Sequence, residues 1–202
     1  MVVILLQSLT KNESRVIDFL LRNFREKNSI NAIARRLDLS SRGAYKILKK
    51  LEKSKAIAPE KIGNAIYYKI NLNEEIGVKL SEFILMQNEL NAYLQIQAED
   101  LMLLKNVSLS CVLFGSVLTK GKEAKDIDVL IVLEKKDVKK VSLVIDKIKS
   151  LKPKRIHEVL QTKDDLVKNI KKNDEVISDI IRTGKVLWGA EIILEAIKNG
   201  TG

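Results

Sequence analysis

Residues 111–133 constrain what this chain can fold into more than any other stretch. An apolar run, Cys111-Val112-Leu113-Phe114, ends in Gly115-Ser116. Nine residues follow, among them Lys120, Lys122 and Lys125, and then comes Asp126-Ile127-Asp128-Val129-Leu130-Ile131-Val132. Short branched apolar runs bounded by glycine read as buried strands. Alternate side chains of a strand share a face, so Asp126 and Asp128 project together while Ile127 and Val129 project the other way. Two carboxylates at the head of an otherwise apolar strand serve no packing purpose. Their paired oxygens suit hard divalent cations. Cys111 reads as core, and Gly115 as a place where backbone can approach a ligand closely.

The flanking sequence divides by charge. Lys and Arg outnumber Asp and Glu 36 to 26 over 202 residues, yet residues 1–72 hold fifteen basic and six acidic side chains, and the rest is nearly balanced. A polyanion-seeking field therefore belongs to the first third. One cysteine and one histidine exclude internal disulfides and Cys/His metal cages, and fit a reducing cytoplasm. Met1–Leu6 is apolar but too short for a membrane span, and reads as a strand or helix start.

Thr10-Lys11-Asn12-Glu13 has the form of a capping box opening a helix with Val16, Ile17, Leu20, Leu21 and Phe24 at helical spacing. Ser29 caps a second helix, Ile30 to Leu37, and Ser40 or Ser41 a third, Arg42 to Ser54, which buries Ala44, Ile47, Leu48 and Leu51. Gly63-Asn64 then supplies the turn of a hairpin ending near Ile70. From 73 to 105 the spacing predicts one long helix. Ile76, Leu80, Phe83, Gln87, Leu90, Leu94, Gln97, Leu101 and Leu104 form a heptad seam suited to a homodimer, or to packing on the same chain. Further on come a helix from Val138 to Ser150, a strand from Lys154 to Gln161, helices capped within Thr162-Lys163-Asp164-Asp165 and Asn173-Asp174-Glu175, a short strand at 185–189 and a last helix from Ala190 to Lys198.

Three short helices followed by a hairpin, over residues 8–72, resemble the winged helix-turn-helix family. That resemblance implies a third helix in the major groove, with Ser41, Arg42, Tyr45 and Lys46 at base edges and Lys49, Lys50 and Lys61 at phosphates of DNA. Gly115-Ser116, nine residues, then Asp126-Ile127-Asp128-Val129 is similar to the pattern of the DNA polymerase β-like nucleotidyltransferases, in particular their minimal branch, over residues 100–200. This resemblance implies transfer of a nucleoside monophosphate from a nucleoside triphosphate to a hydroxyl. Gly115 and Ser116, helped by Lys120 and Lys122, would hold phosphates, and Asp126 and Asp128 would bind magnesium. A third carboxylate on a neighbouring strand completes the family's site, and Glu158 is the candidate, with His157 on the opposite face of that strand.

The expected fold class is thus α+β. It comprises a winged helix at 1–72, a long linker or dimerisation helix at 73–105, and a small α/β nucleotidyltransferase fold with a mixed sheet at 106–202. The expected function is a metal-dependent nucleotidyltransferase directed to nucleic acid or acting in transcription regulation. Two alternatives are a DNA-binding regulator whose inactive nucleotidyltransferase-like domain senses a nucleotide, and an antitoxin-like protein with a small helical partner.

Overall fold

The computed structural model describes residues 9–87, 89–151 and 154–201. The chain divides into two compact units, Met1–Leu85 and Met86–Gly202. The strand or helix start expected at Met1–Leu6 lies outside the described residues.

In the first unit, α1 (Lys11–Arg22) opens on the expected capping box: Thr10 Oγ1 accepts from the Glu13 amide at 3.3 Å and Glu13 Oε2 accepts from the Thr10 amide at 2.9 Å. A two-residue strand, β1 (Asn28–Ser29), leads into α2 (Ile30–Arg36), capped by Ser29. Ser40 caps α3 (Ser41–Lys53), its hydroxyl accepting from the Gly43 amide at 3.1 Å. Then β2 (Ile57–Ile62) and β3 (Ala65–Ile70) form an antiparallel hairpin with Ile62 facing Ala65. Its two-residue loop bends at Gly63, whose φ of +59° costs glycine nothing. β1 adds to the free edge of β3, giving the order β1-β3-β2. Val16, Ile17, Leu20, Ile33, Leu48, Leu51, Ile57 and Tyr68 make one core with Ile76, Leu80 and Ile84 of α4 (Glu75–Met86).

Glu13 does more than cap. It is 4% exposed, and Lys50 of α3 reaches it at 2.7 Å, tying α3 to α1. Burial alone would raise the Glu13 carboxyl. The Lys50 hydrogen bond, the Thr10 amide and the lysine's charge outweigh it, leaving the carboxyl below its ordinary value. A depressed folded-state value means that this stabilisation is present above the unfolded carboxylate's range and is lost as pH falls through the folded value. Glu13→Ala is expected to cost about 1–2 kcal/mol at neutral pH. Parallel urea titrations of variant and wild type should show that difference shrinking on acidification, and a constant difference down to the acid limit would refute the assignment.

The single helix expected over 73–105 does not form. α4 stops at Met86, and α5 (Ala92–Leu101) begins afresh behind Asn91, whose side chain accepts from the Leu94 amide at 2.9 Å. An asparagine that can cap competes with continued helix, and here it wins. The seam is also divided between two cores. Ile76 and Leu80 are spent in the first unit, Leu94, Leu101 and Leu104 in the second, while Phe83 and Gln87 are exposed. Among the described residues the seam does not run on as one continuous helical surface.

The second unit is a four-stranded mixed sheet of order β6-β5-β4-β7 with helices. After α5 come β4 (Ser110–Phe114), the four-residue helix α6 (Val117–Lys120) and β5 (Asp126–Val132), antiparallel to β4. α7 (Val138–Leu151) crosses over to β6 (Arg155–Gln161), parallel to β5, as a parallel pair requires. Thr162 caps α8 (Lys163–Lys171), Asp174 caps α9 (Glu175–Thr183), β7 (Lys185–Trp188) pairs with β4, and α10 (Ala190–Thr201) closes the fold. One face of the sheet presents Ile127, Val129, Ile131, Leu113 and Ile156 to Leu94 and Leu101 of α5 and to Val141, Ile145 and Ile148 of α7. Cys111 lies fully buried in this core, and burial pushes its thiol pKa well up, as an inert packing residue requires. Among the described residues no helix is long and apolar enough to cross a membrane.

Candidate functional site

Strand alternation leaves Asp126 and Asp128 together on the face opposite Ile127 and Val129, both half-buried at the start of β5. Antiparallel pairing sets Phe114 against Asp128, so the chain turns at Gly115 beside the carboxylate. Gly115 has φ of +77°, and a Cβ placed there would meet Asp128 Oδ2 at 2.2 Å. The glycine therefore makes room for the carboxylate itself. Ser116, exposed, precedes α6 and spends no side-chain hydrogen bond on capping it, so its hydroxyl faces solvent next to the aspartates' end of the sheet. Lys120, Lys122 and Lys125 are exposed along the connection from α6 to β5, a 3-10 turn at Gly121–Glu123.

Register decides what stands on the other side of β5. Asp126 faces Arg155, Asp128 faces His157 and Val129 faces Glu158. Facing residues of adjacent strands share a face. His157 accordingly lies beside the aspartates, its Nδ1 3.2 Å from Asp128 Oδ1, while Asp128 keeps a side-chain exposure of 20%. Glu158, expected to complete a carboxylate triad, points to the opposite face, where Lys149 of α7 donates to its Oε1 at 2.7 Å. Its parity with Ile156 and Leu160 is as expected, but that parity carries it away from Asp126 and Asp128. Among the described residues no three His, Cys, Asp or Glu side chains come together to hold a metal ion. Asp126 and Asp128 remain as a two-carboxylate pair, walled by Gly115 and Ser116 on the β4 side and by Arg155 and His157 on the β6 side.

The first unit carries a separate basic face. Ser41, Arg42, Tyr45, Lys46 and Lys49 are exposed along α3, with Tyr45 at 49%, and Lys61 is exposed on β2. Two of the seven residues expected to meet nucleic acid already have acidic partners: Lys49 reaches Glu52 at 2.8 Å, and Lys50 the buried Glu13. The first contact raises the Lys49 pKa.

Sequence reasoning overlooked Arg155 and misjudged His157 because alternation within β6 separates His157 from Glu158 without saying which of them meets β5's aspartates. It also passed over Lys154, whose Nζ donates to carbonyls of the loop before Asp126, and Tyr93, whose ring lies against that ammonium; no local pattern marks a side chain whose partners are backbone carbonyls about thirty residues away.

A family model described as "Polymerase beta, Nucleotidyltransferase" matches residues 101–192. No curated protein and no solved structure matches the chain. The matched span includes Gly115, Ser116 and both aspartates. Over residues 101–192 the chain is therefore similar to the polymerase β nucleotidyltransferases.

Proposed function

We propose that this chain is a metal-dependent nucleotidyltransferase that moves a nucleoside monophosphate from a nucleoside triphosphate to an acceptor hydroxyl, and that its first unit is a winged helix directing it to DNA. The observation carrying the reading is the constellation of Gly115, Ser116, Asp126 and Asp128 within a span that matches the nucleotidyltransferase model. The donor set fits one hard divalent cation. Magnesium is commonly held by one or two carboxylates together with substrate phosphates, and the Asp126 carboxylate takes part in no side-chain hydrogen bond or ion pair among the described residues. Asp126 and Asp128 would hold magnesium or manganese, which when bound neutralises phosphate charge. Ser116 offers a hydroxyl donor to a phosphate oxygen, Lys120 and Lys122 add positive charge at the loop, and the work of these side chains is positioning and charge compensation.

A second reading is a DNA-binding regulator that senses a nucleotide without turning it over. What supports it is Glu158, turned away and paired with Lys149, so that β6 brings no carboxylate to the aspartates. Incubation with each labelled triphosphate, magnesium or manganese, and protein or nucleic-acid acceptors separates the two. Transfer that Glu158→Gln leaves within about twofold supports the first, since a solvent-accessible ion pair is worth at most ~1 kcal/mol to the fold. Triphosphate binding without any transfer supports the second. A homodimer, whose expected seam is divided between α4 and α5, or a small helical partner would show as an added mass in light scattering.

For the first unit, winged-helix binding rests on element order and on the exposed side of α3. Arg42→Ala with Lys46→Ala is expected to weaken duplex DNA binding by about 100-fold and to lower the slope of log affinity against log salt by up to about 2. Fluorescence anisotropy across a salt series measures both, and an unchanged slope would make this face a protein-contact surface.

A further inference from the structure

The loop between α6 and β5 is held by a side chain from outside it. Lys154, immediately before β6, donates from Nζ to the backbone carbonyl oxygens of Lys122 and of Ala124, the latter at 2.7 Å, and lies 5.2 Å from the centre of the Tyr93 ring of α5. An ammonium has three donors and no acceptor. Here two of them take carbonyls, and the charge sits against the electron-rich face of an aromatic ring, an attractive contact for a desolvated cation. One half-buried lysine thus joins α5, the 3-10 turn at Gly121–Glu123 and the start of β6. The two carbonyls belong to residues on either side of Glu123, and the next residues are Lys125 and Asp126. Ala124, buried at 4% in the core, fixes the loop from below, and Lys154 fixes it from the side.

Without this clamp, Gly121 to Ala124 would be joined to the fold by the Gly121 amide, which donates to the Val117 carbonyl of α6, and by the buried Ala124 methyl. The lysines that flank the aspartates would then sample many arrangements. Charge compensation of a triphosphate depends on cations that are already in place, because ordering a long side chain and its loop at the moment of binding subtracts from affinity. We propose that Lys154 is a positioning residue of the nucleotide site: it presets the 121–125 loop, and through it Lys122, Lys125 and the first residue of β5, for a triphosphate. The ligand in this statement rests on the function proposed above, and the clamp itself does not.

Lys154→Met keeps the stem against Tyr93 and removes the donors. Lys154→Arg keeps donors and charge. In hydrogen-exchange mass spectrometry of the whole 202-residue chain, peptides covering 121–125 are expected to exchange about tenfold faster in Lys154→Met, with β4 and α7 unchanged. Affinity for ATP, CTP, GTP or UTP with manganese, by titration calorimetry, is expected to fall about tenfold, the scale of hydrogen bonds from a charged donor. Lys154→Arg should restore both. Unchanged exchange in Lys154→Met overturns the clamp. Faster exchange with unchanged affinity overturns its positioning role. Wild-type protein that binds none of the four triphosphates overturns the nucleotide reading, and exchange then still reports on the clamp alone. Should Lys154→Met fail to fold, Tyr93→Leu, which takes the aromatic ring from beside the ammonium, is expected to give the same loop-confined exchange at smaller amplitude, and no change there overturns the proposal.

Discussion

Asp128→Asn is expected to reduce nucleotidyl transfer by about 10³-fold, roughly 4 kcal/mol of transition-state stabilisation, while leaving the melting temperature nearly unchanged. Asparagine keeps the shape of the side chain and can still meet His157, so the fold loses little. It lacks the charge, and charge is what a site for a metal-bound polyphosphate needs. Asp126→Asn should behave alike, and the double variant should be little worse than either single one, because two carboxylates serving one ion act as a unit. Single-turnover transfer assays beside thermal melts test this directly. A variant that transfers at the wild-type rate would remove the aspartate pair from the chemistry altogether. One that melts far lower would make the pair structural.

Gly115→Ala carries the second large effect, and it arises from two independent costs. The position has φ of +77°, which a residue with a Cβ adopts only under strain, and the new methyl would fall 2.2 Å from Asp128 Oδ2. Backbone strain of this kind costs about 1–3 kcal/mol. Since the clashing atom terminates a side chain, Asp128 can rotate away rather than forcing the strands apart. The expected outcome is therefore a moderate stability loss with a disproportionate loss of function: transfer and metal-dependent triphosphate binding each down by at least about 100-fold, as for a displaced catalytic group. Denaturant midpoints and calorimetry read the two separately. A stability loss with intact triphosphate binding would mean that Asp128 has no part in holding the ligand.

The local signals in the chain were legible because their physics is local. Thr10 with Glu13, Ser29, Ser40, Thr162 and Asp174 cap the helices that their spacing announces, since each side-chain oxygen finds an amide two or three residues away. Gly63 turns the hairpin, and strand parity brings Asp126 and Asp128 to one face. The seam from Ile76 to Leu104 misled for a related reason. Heptad spacing says that a stripe is buried, but not against what, and a cap at Asn91 divides that stripe between two cores. Lys50 illustrates the same limit on α3: its position reads as outward and basic, and only the packing of α1 shows that a buried carboxylate has already taken it.

By itself, the sequence determined the capped helices and the hairpin of the first third, the excess of basic side chains there and the pairing of two aspartates beside a glycine turn. Caps, turns and the period of two act over a few residues and need no partner element. Tertiary structure alone decided that β6 meets β5 with His157 and Arg155 rather than Glu158 beside those aspartates, and that Lys154 holds the loop leading to them. Parallel register and lysine-to-carbonyl contacts join residues about thirty positions apart, and no periodicity within one strand or one loop records which partner lies across from it.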